Sequence, residues 1–455
     1  MRSRALSVPT DAAPRAEKRR HRDLAGITLL VFGGLNLNGA LLLFFGTQAL
    51  LSPLVFCSTL VLWLRYAHPS AVKAECYVLF VAFLGSYLAF AALFAATDPH
   101  FDSYYIKFYS ATLIFVSAIY FWLTGCTKAE LAYVFRMLKR ILIVSCIFVP
   151  LSPYLSTYLA YSHSLDRPSG LFGNPNEAGV AALFCIVLIV AYPARSRVLT
   201  FGQAVIALLA LILTFSKAGI LTLIALSLLF VITRRSIGLL CVAILTFTLA
   251  ALSTKYILAN DVFQLSYDQR ERLADVLNIL GGDISTRTTT GRTLVWELGL
   301  RRIDQQLPWG AGLGDFHALV GGFRERPDLD KWLGVHNTFL VILGEAGLFP
   351  LLLLIGFLAR LFMIGSRSPE RLVAIGFSVI MVVDMLSSHN SLSSRLSNVA
   401  LASAMAIATR AVMKAPTWRP YCLPLGAGCR PGARSQRSVM DSRITRPPLR
   451  EGGRG

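Results

Sequence analysis

Five polar residues stand apart in a chain that is otherwise largely apolar: Arg167, Lys217, Arg292 and the adjacent pair His336 and Asn337. Histidine, with an unperturbed pKa of about 6.5, can take the proton of a hydroxyl that is a poor nucleophile near neutrality. Fixed cations hold anionic groups and stabilise charge that grows as a bond breaks. Proton abstraction and anion binding are therefore the two tasks this set can perform. Metal chemistry has a weaker basis. The D-x-D pattern Asp328-Leu329-Asp330 lies among Arg324, Arg326 and Lys331, which reads as salt-linked surface, and neither a metal nor another cofactor is expected.

Each candidate also has a plainer reading. Arg292, four residues ahead of Trp296 on one helical face, suits a side chain snorkelling from an interfacial helix. Lys217 suits an anchor at a helix–helix junction. Asn337 suits either a cap on a helix starting at 338 or a partner that orients His336. In the polar island RPSGLFGNPNEAG (167–179), Asn174-Pro175 forms a turn and Asn176, before Glu177, is an N-cap candidate. That accounts for the asparagines but not for Arg167. Glu345 suits a water-facing carboxylate as well as a functional one. Asp384 is costly in lipid and is expected to face a bundle interior, with Ser387, Ser388, His389 and Asn390 just beyond it on a possible acceptor side.

The elements that must position these residues are membrane helices. The 455 residues are 55% hydrophobic and only 15% charged, with a mean hydropathy of +0.59, outside the balance of a soluble globular chain. Apolar runs able to cross a hydrocarbon core of roughly 30 Å recur about twelve times, and in lipid each satisfies its backbone only as a helix. They read as 24–45, 48–65, 75–96, 105–125, 137–160, 177–193, 198–215, 217–233, 236–254, 347–364, 369–386 and 396–413. Cytoplasmic loops carry the excess of Lys and Arg. Placing the N-terminus inside puts Arg65/Lys73, Lys128/Arg136/Lys139/Arg140, Arg195/Arg197, Arg234/Arg235 and Arg367/Arg371 in the cytoplasm. The five polar residues then fall on the opposite side, where positive charge needs a reason other than topology.

The expected architecture is an all-α integral membrane protein. A basic cytoplasmic segment, 1–23, precedes nine spans over 24–254; a long outer loop with interfacial helices covers 255–346; three more spans cover 347–413; a disordered basic cytoplasmic tail covers 414–455. Within the loop, GRTLVWELGLRRID (291–304) has the spacing of an amphipathic helix, which Pro308, Gly310, Gly312 and Gly314 then end in a compact turn. Those glycines follow a helix rather than a strand, which argues against a nucleotide loop. The net charge of +19 resides for more than half in the two termini, a pattern for anionic lipid rather than nucleic acid. Cys57, Cys76, Cys126, Cys146, Cys185 and Cys241 lie in or beside apolar spans and Cys422 and Cys429 in the tail, so no disulfide framework is expected.

Three patterns in order, TFSKAGI (214–220), R-x-x-x-W from Arg292 and HNTFLVILGEAG (336–347), resemble the O-antigen ligase and polymerase superfamily of bacterial membrane glycosyltransferases. The resemblance covers roughly 165–390, and its most specific part is the His-Asn, nine-residue spacer, Gly pattern. Two departures weaken the ligase assignment in particular. Lys217 stands where the family usually has Arg, keeping the charge without the planar fork, and Pro350 stands where ligases tend to have Gly, Thr or Tyr.

The resemblance implies a glycosyltransferase-C-like bundle in the bacterial inner membrane, with both termini cytoplasmic and the active site periplasmic. It implies metal-independent, inverting transfer from an undecaprenyl-diphosphate-linked glycan to a hydroxyl of lipid A-core or of another glycan, in O-antigen or exopolysaccharide biosynthesis. His336 is then the candidate base, Arg292 a catalytic and diphosphate-binding cation, and Lys217 and Arg167 further diphosphate ligands. Asn337, Glu345 and Asn176 would support them. Ligation, polymerisation and transfer to protein share the donor chemistry; the NPN island and Pro350 lean toward polymerase-like members. The alternative is a polytopic transporter or lipid-glycan flippase, which calls for internal repeats and charges near the midplane. No repeat relates 24–235 to 236–413.

Overall fold

Capping residues mark where several helices of this protein begin. Thr127 accepts the Glu130 amide while the Glu130 carboxylate accepts the Thr127 amide at 2.7 Å. This capping box starts a helix at Lys128, well ahead of the apolar run read at 137–160. The basic residues that made 128–140 resemble a loop occupy its first turns, because a reciprocal cap satisfies the free amides at a helix start whatever the hydropathy.

The computed structural model describes residues 24–37, 51–95, 104–152, 154, 167–234, 266–282, 292–317, 324–326, 329–332, 334–389 and 391–413. The expectations for 1–23, for the span 236–254, for the tail 414–455 and for Asp328 and Asn390 lie outside the described residues. Besides a single turn at Pro69–Val72, the described helices are α1 (Leu24–Gly34), α2 (Ser52–Tyr66), α3 (Glu75–Ala95), α4 (Tyr104–Gly125), α5 (Lys128–Leu151), α6 (Pro175–Ala191), α7 (Arg197–Leu213) and α8 (Lys217–Arg234). They continue with α9 (Tyr267–Leu280), α10 (Arg292–Asp304), α11 (Thr338–Ala346), α12 (Leu348–Gly365), α13 (Arg371–Ser387) and α14 (Arg395–Val412). The fold is helical, with one addition to the all-α expectation: β1 (Arg324–Arg326) and β2 (Leu329–Trp332) pair antiparallel.

Among the described residues, three helices are long and apolar enough to cross a membrane, α3 over Glu75–Phe94, α4 over Tyr105–Gly125 and α12 over Leu348–Gly365. Shorter apolar helices are α1, α2, α6, α7 and α8. The centre of the bundle is α14, buried almost throughout from Leu396 to Thr409. Its small residues, Ala400, Ala402, Ala404, Ala406 and Ala408, let α4, α12 and α13 approach closely. Trp122, Tyr120, Phe135, Phe184, Phe357 and Phe377 fill the remaining volume. Large apolar side chains also face outward, Phe56, Leu64, Val198 and Phe201 among them, a surface suited to hydrocarbon rather than water.

A second, smaller core sits beside the bundle. Ile303, Phe316, Val335 and Val341 are buried together, with Trp296 and Leu298 packed on them. The amphipathic helix read at 291–304 is thus present as α10, and its apolar face covers α11.

Candidate active site

His336 is fixed by its neighbours on both sides. Val335 is buried in the second core, and Asn337 caps α11, its Oδ1 accepting the amides of Phe339 at 3.0 Å and Leu340 at 3.2 Å. Of the two roles open to Asn337, the cap is the one it fills. Between these anchors His336 adopts φ +46°, a left-handed conformation uncommon for a residue with a side chain and often found where a site demands it. The Nδ1 atoms of His336 and His389 lie 3.1 Å apart, with ring centroids separated by 4.6 Å. Thr338 fastens the same two segments by donating its hydroxyl to the Ser388 carbonyl at 2.6 Å.

An Nδ1–Nδ1 contact requires one ring to donate and the other to accept. If His389 donates, His336 carries its hydrogen on Nε2 and cannot act there as a base. If His336 donates, its Nε2 carries the lone pair that a base needs. His389 therefore governs whether His336 can take a proton.

Glu345, at the other end of α11, does not face water: it is fully buried. Its Oε2 accepts the Tyr87 hydroxyl at 2.5 Å, and its Oε1 accepts the Phe316 amide at 3.0 Å and His317 Nδ1 at 2.7 Å. His317 Nε2 in turn lies 2.9 Å from the Tyr109 hydroxyl oxygen. A carboxylate so deep is tolerable only with its oxygens satisfied in this way. The His317 and His389 rings meet edge to face, centroids 6.1 Å apart, so the buried network abuts the His336–His389 pair.

The turn carrying His317 lies flat on α11. Ala311 donates its amide to the Gly344 carbonyl at 2.7 Å, Gly312 to that of Glu345 at 3.0 Å, and Leu348 to that of Pro308 at 3.0 Å. At Gly347, φ is +80° and a Cβ would overlap the Pro308 carbonyl. The glycine that closes the 336–347 pattern is therefore required by close backbone approach.

The cations gather at another junction. Arg167 is buried, donating Nε to the Thr214 carbonyl at 2.9 Å and Nη2 to Asn176 Oδ1 at 3.2 Å. Asn176 is not the cap of α6. Asn174 is, accepting the Glu177 amide at 3.0 Å, which leaves Asn176 to hold Arg167. Lys217, at the start of α8, is ion-paired with Asp275 of α9. The turn from Thr214 to Lys217 thus collects Arg167 and Lys217. Arg292 opens α10, and its side chain lies outside the described residues. Asp384 of α13 shares a small internal gap with Asn176 and Ser216 and accepts the Ser397 hydroxyl at 3.5 Å. Among the described residues, no three His, Cys, Asp or Glu side chains converge as a metal site would require.

His317, Asp275 and the pairing of His389 escaped the sequence. None has a local spacing signal; each becomes visible only where distant segments meet. No curated protein matches the chain. Residues 202–355 match the O-antigen ligase family, a family of glycan transfer in polysaccharide biosynthesis. The TFSKAGI, R-x-x-x-W and HNTFLVILGEAG patterns all fall inside that match, which supports the resemblance of this part of the chain to the O-antigen ligase and polymerase superfamily.

Proposed function

We propose that this protein crosses the bacterial inner membrane about twelve times and transfers a glycan from undecaprenyl diphosphate to a hydroxyl acceptor at the periplasmic face, during assembly of O-antigen or exopolysaccharide. The observation that carries the reading is the 3.1 Å contact between His336, inside the family-matched region, and His389, which lies beyond its end in the sequence. It offers a means of holding His336 in the base-competent tautomer.

In the proposed reaction the acceptor hydroxyl gives its proton to His336 Nε2, and its oxygen bonds to the anomeric carbon from the face opposite the diphosphate. The carbon–oxygen bond to the diphosphate breaks, the electron pair leaves with the phosphate oxygen, and configuration inverts. The resulting imidazolium shares its Nδ1 proton with His389. Arg292, Arg167 and Lys217 meet the growing negative charge. Arg167 is pre-positioned by Thr214 and Asn176, whereas the charge of Lys217 is partly answered by Asp275. An apolar cleft of about 520 Å³ between α12 and α13, lined by Phe339, Ile355, Phe362, Val379 and Val382, ends at α11. It suits a carrier chain entering sideways from the membrane.

The test is the electrophoretic profile of lipopolysaccharide and lipid-linked glycan in a deletion strain, complemented with wild type or His336→Ala. Loss of the ladder with long polymer stranded on the carrier identifies a ligase; core bearing a single repeat identifies a polymerase. Full rescue by His336→Ala removes the base assignment. An intact ladder together with unchanged secreted polysaccharide in the deletion strain removes the role in O-antigen or exopolysaccharide assembly.

A further inference from the structure

The hydrogen bonds behind His389 have a direction. An ionised Glu345 only accepts, so the Tyr87 hydroxyl, the Phe316 amide and His317 Nδ1 all donate to it. A neutral His317 with its hydrogen on Nδ1 then has Nε2 left to accept, and the Tyr109 hydroxyl is its donor. The bonds from Tyr109, His317 and Tyr87 thus all run toward Glu345. Both ring nitrogens of His317 are held, one by α11 and the other by α4, and the Tyr105 ring lies against it with centroids 5.1 Å apart. This imidazole has no freedom to turn.

The group it is held against is His389. The two rings meet at 88°, and His389 is itself buried, between His317 and the Nδ1 contact to His336. A half-turn of the His389 ring about its Cβ–Cγ bond would exchange Nδ1 for Cδ2 and break that contact. The Thr338–Ser388 bond fixes the backbone beside His389 but does not restrain this rotation. A neighbouring ring locked at both nitrogens does, because turning His389 would drive its edge into a side chain that cannot yield.

We propose that His317, held by Glu345 and Tyr109, is a positioning residue for the transfer reaction: it keeps Nδ1 of His389 turned toward His336. Glu345 has a second effect, since its carboxylate answers the positive charge that His336 and His389 share once a proton has been taken. Burial leaves little water to screen that attraction. The inference rests on the reading of His336 as the base. It brings α3 and α4, which hold no candidate residue recognised from sequence, into the working of the site through Tyr87 and Tyr109.

The test is a double-mutant cycle on transfer from lipid-linked donor by the full-length protein in detergent, with Tm measured alongside. Tyr109→Phe removes one hydroxyl and keeps the ring that packs on Tyr87 and Phe108. It is expected to lower kcat about tenfold, the weight of one hydrogen bond, with KM for the donor unchanged. In a His389→Ala background the same substitution is expected to cost nothing further, because the residue it acts through is gone. Glu345→Gln, which removes the charge as well, is expected to lower kcat more than Tyr109→Phe; should it fail to fold, the cycle with Tyr109→Phe decides alone. Equal losses from Tyr109→Phe in both backgrounds make the network structural and overturn the proposal. An unchanged kcat in Tyr109→Phe, with transfer abolished by His336→Ala, overturns it while leaving the base assignment intact. Full transfer by His336→Ala removes that assignment and this inference with it.

Discussion

His336 and His389 divide one task between two rings. His336→Ala should lower transfer by about 10²- to 10⁴-fold, the usual weight of a general base, at unchanged membrane abundance, as measured by in vitro transfer from lipid-linked donor. His389→Ala should lower kcat with little change in KM and alter the acidic limb of the pH–rate profile. His389→Gln, whose carbonyl can still accept the His336 Nδ1 proton, should retain more activity than His389→Ala. Equal loss in both His389 variants with an unmoved pH profile would make the contact structural. His336 was legible in sequence because Asn337 follows it and Gly347 closes the pattern. His389 was visible only as part of a polar run after the eleventh apolar span. Its role depends on where α13 ends relative to α11, which no local pattern records.

At the scale of elements, α11 is pinned at both ends: by the Asn337 cap and the Thr338–Ser388 bond at its start, and by the turn from Pro308 to Gly312 at its finish. Asn337→Ala should destabilise the protein by about 1 kcal/mol, seen as a lower Tm in detergent, with Asn337→Asp close to wild type. A single residue inserted within α11 would rotate His336 by about 100° relative to Glu345 and should abolish transfer more completely than it lowers Tm. Lys217 and Asp275 form the corresponding link between α8 and α9. Lys217→Ala and Asp275→Asn should be non-additive in Tm. If Lys217 also meets the diphosphate, Lys217→Ala should cost more activity than Asp275→Asn, and Lys217→Arg should preserve it; equal activity across all three would confine the pair to structure. Apolar periodicity announced most of the helices within a few residues. It missed the start of α5, where the information is in Thr127 and Glu130, and it left α11 inside the long outer loop, where the cap reading of Asn337 alone marked a helix starting at 338.

At the scale of the whole molecule, the proposed topology makes opposite ends of the bundle chemically distinguishable. In a background without the exposed Cys57 and the tail residues Cys422 and Cys429, Trp309→Cys should react with an impermeant maleimide applied from the periplasm, since Trp309 is 57% exposed. Ser196→Cys should react only after the inner membrane is breached. The reverse pattern would invert the orientation and move the His336 site to the cytoplasm. The buried network around Glu345 has a different kind of consequence. Glu345 and His317 lie within 202–355, but Tyr87 and Tyr109, which complete their hydrogen bonds, lie on α3 and α4 outside it. Leu313 also donates its amide to the Ala91 carbonyl at 3.0 Å. The family-matched stretch is therefore not a transplantable module. A chimera receiving the corresponding stretch from a protein of that family would need the matching tyrosines from the recipient's first half, or it would bury a carboxylate and an imidazole with partners missing.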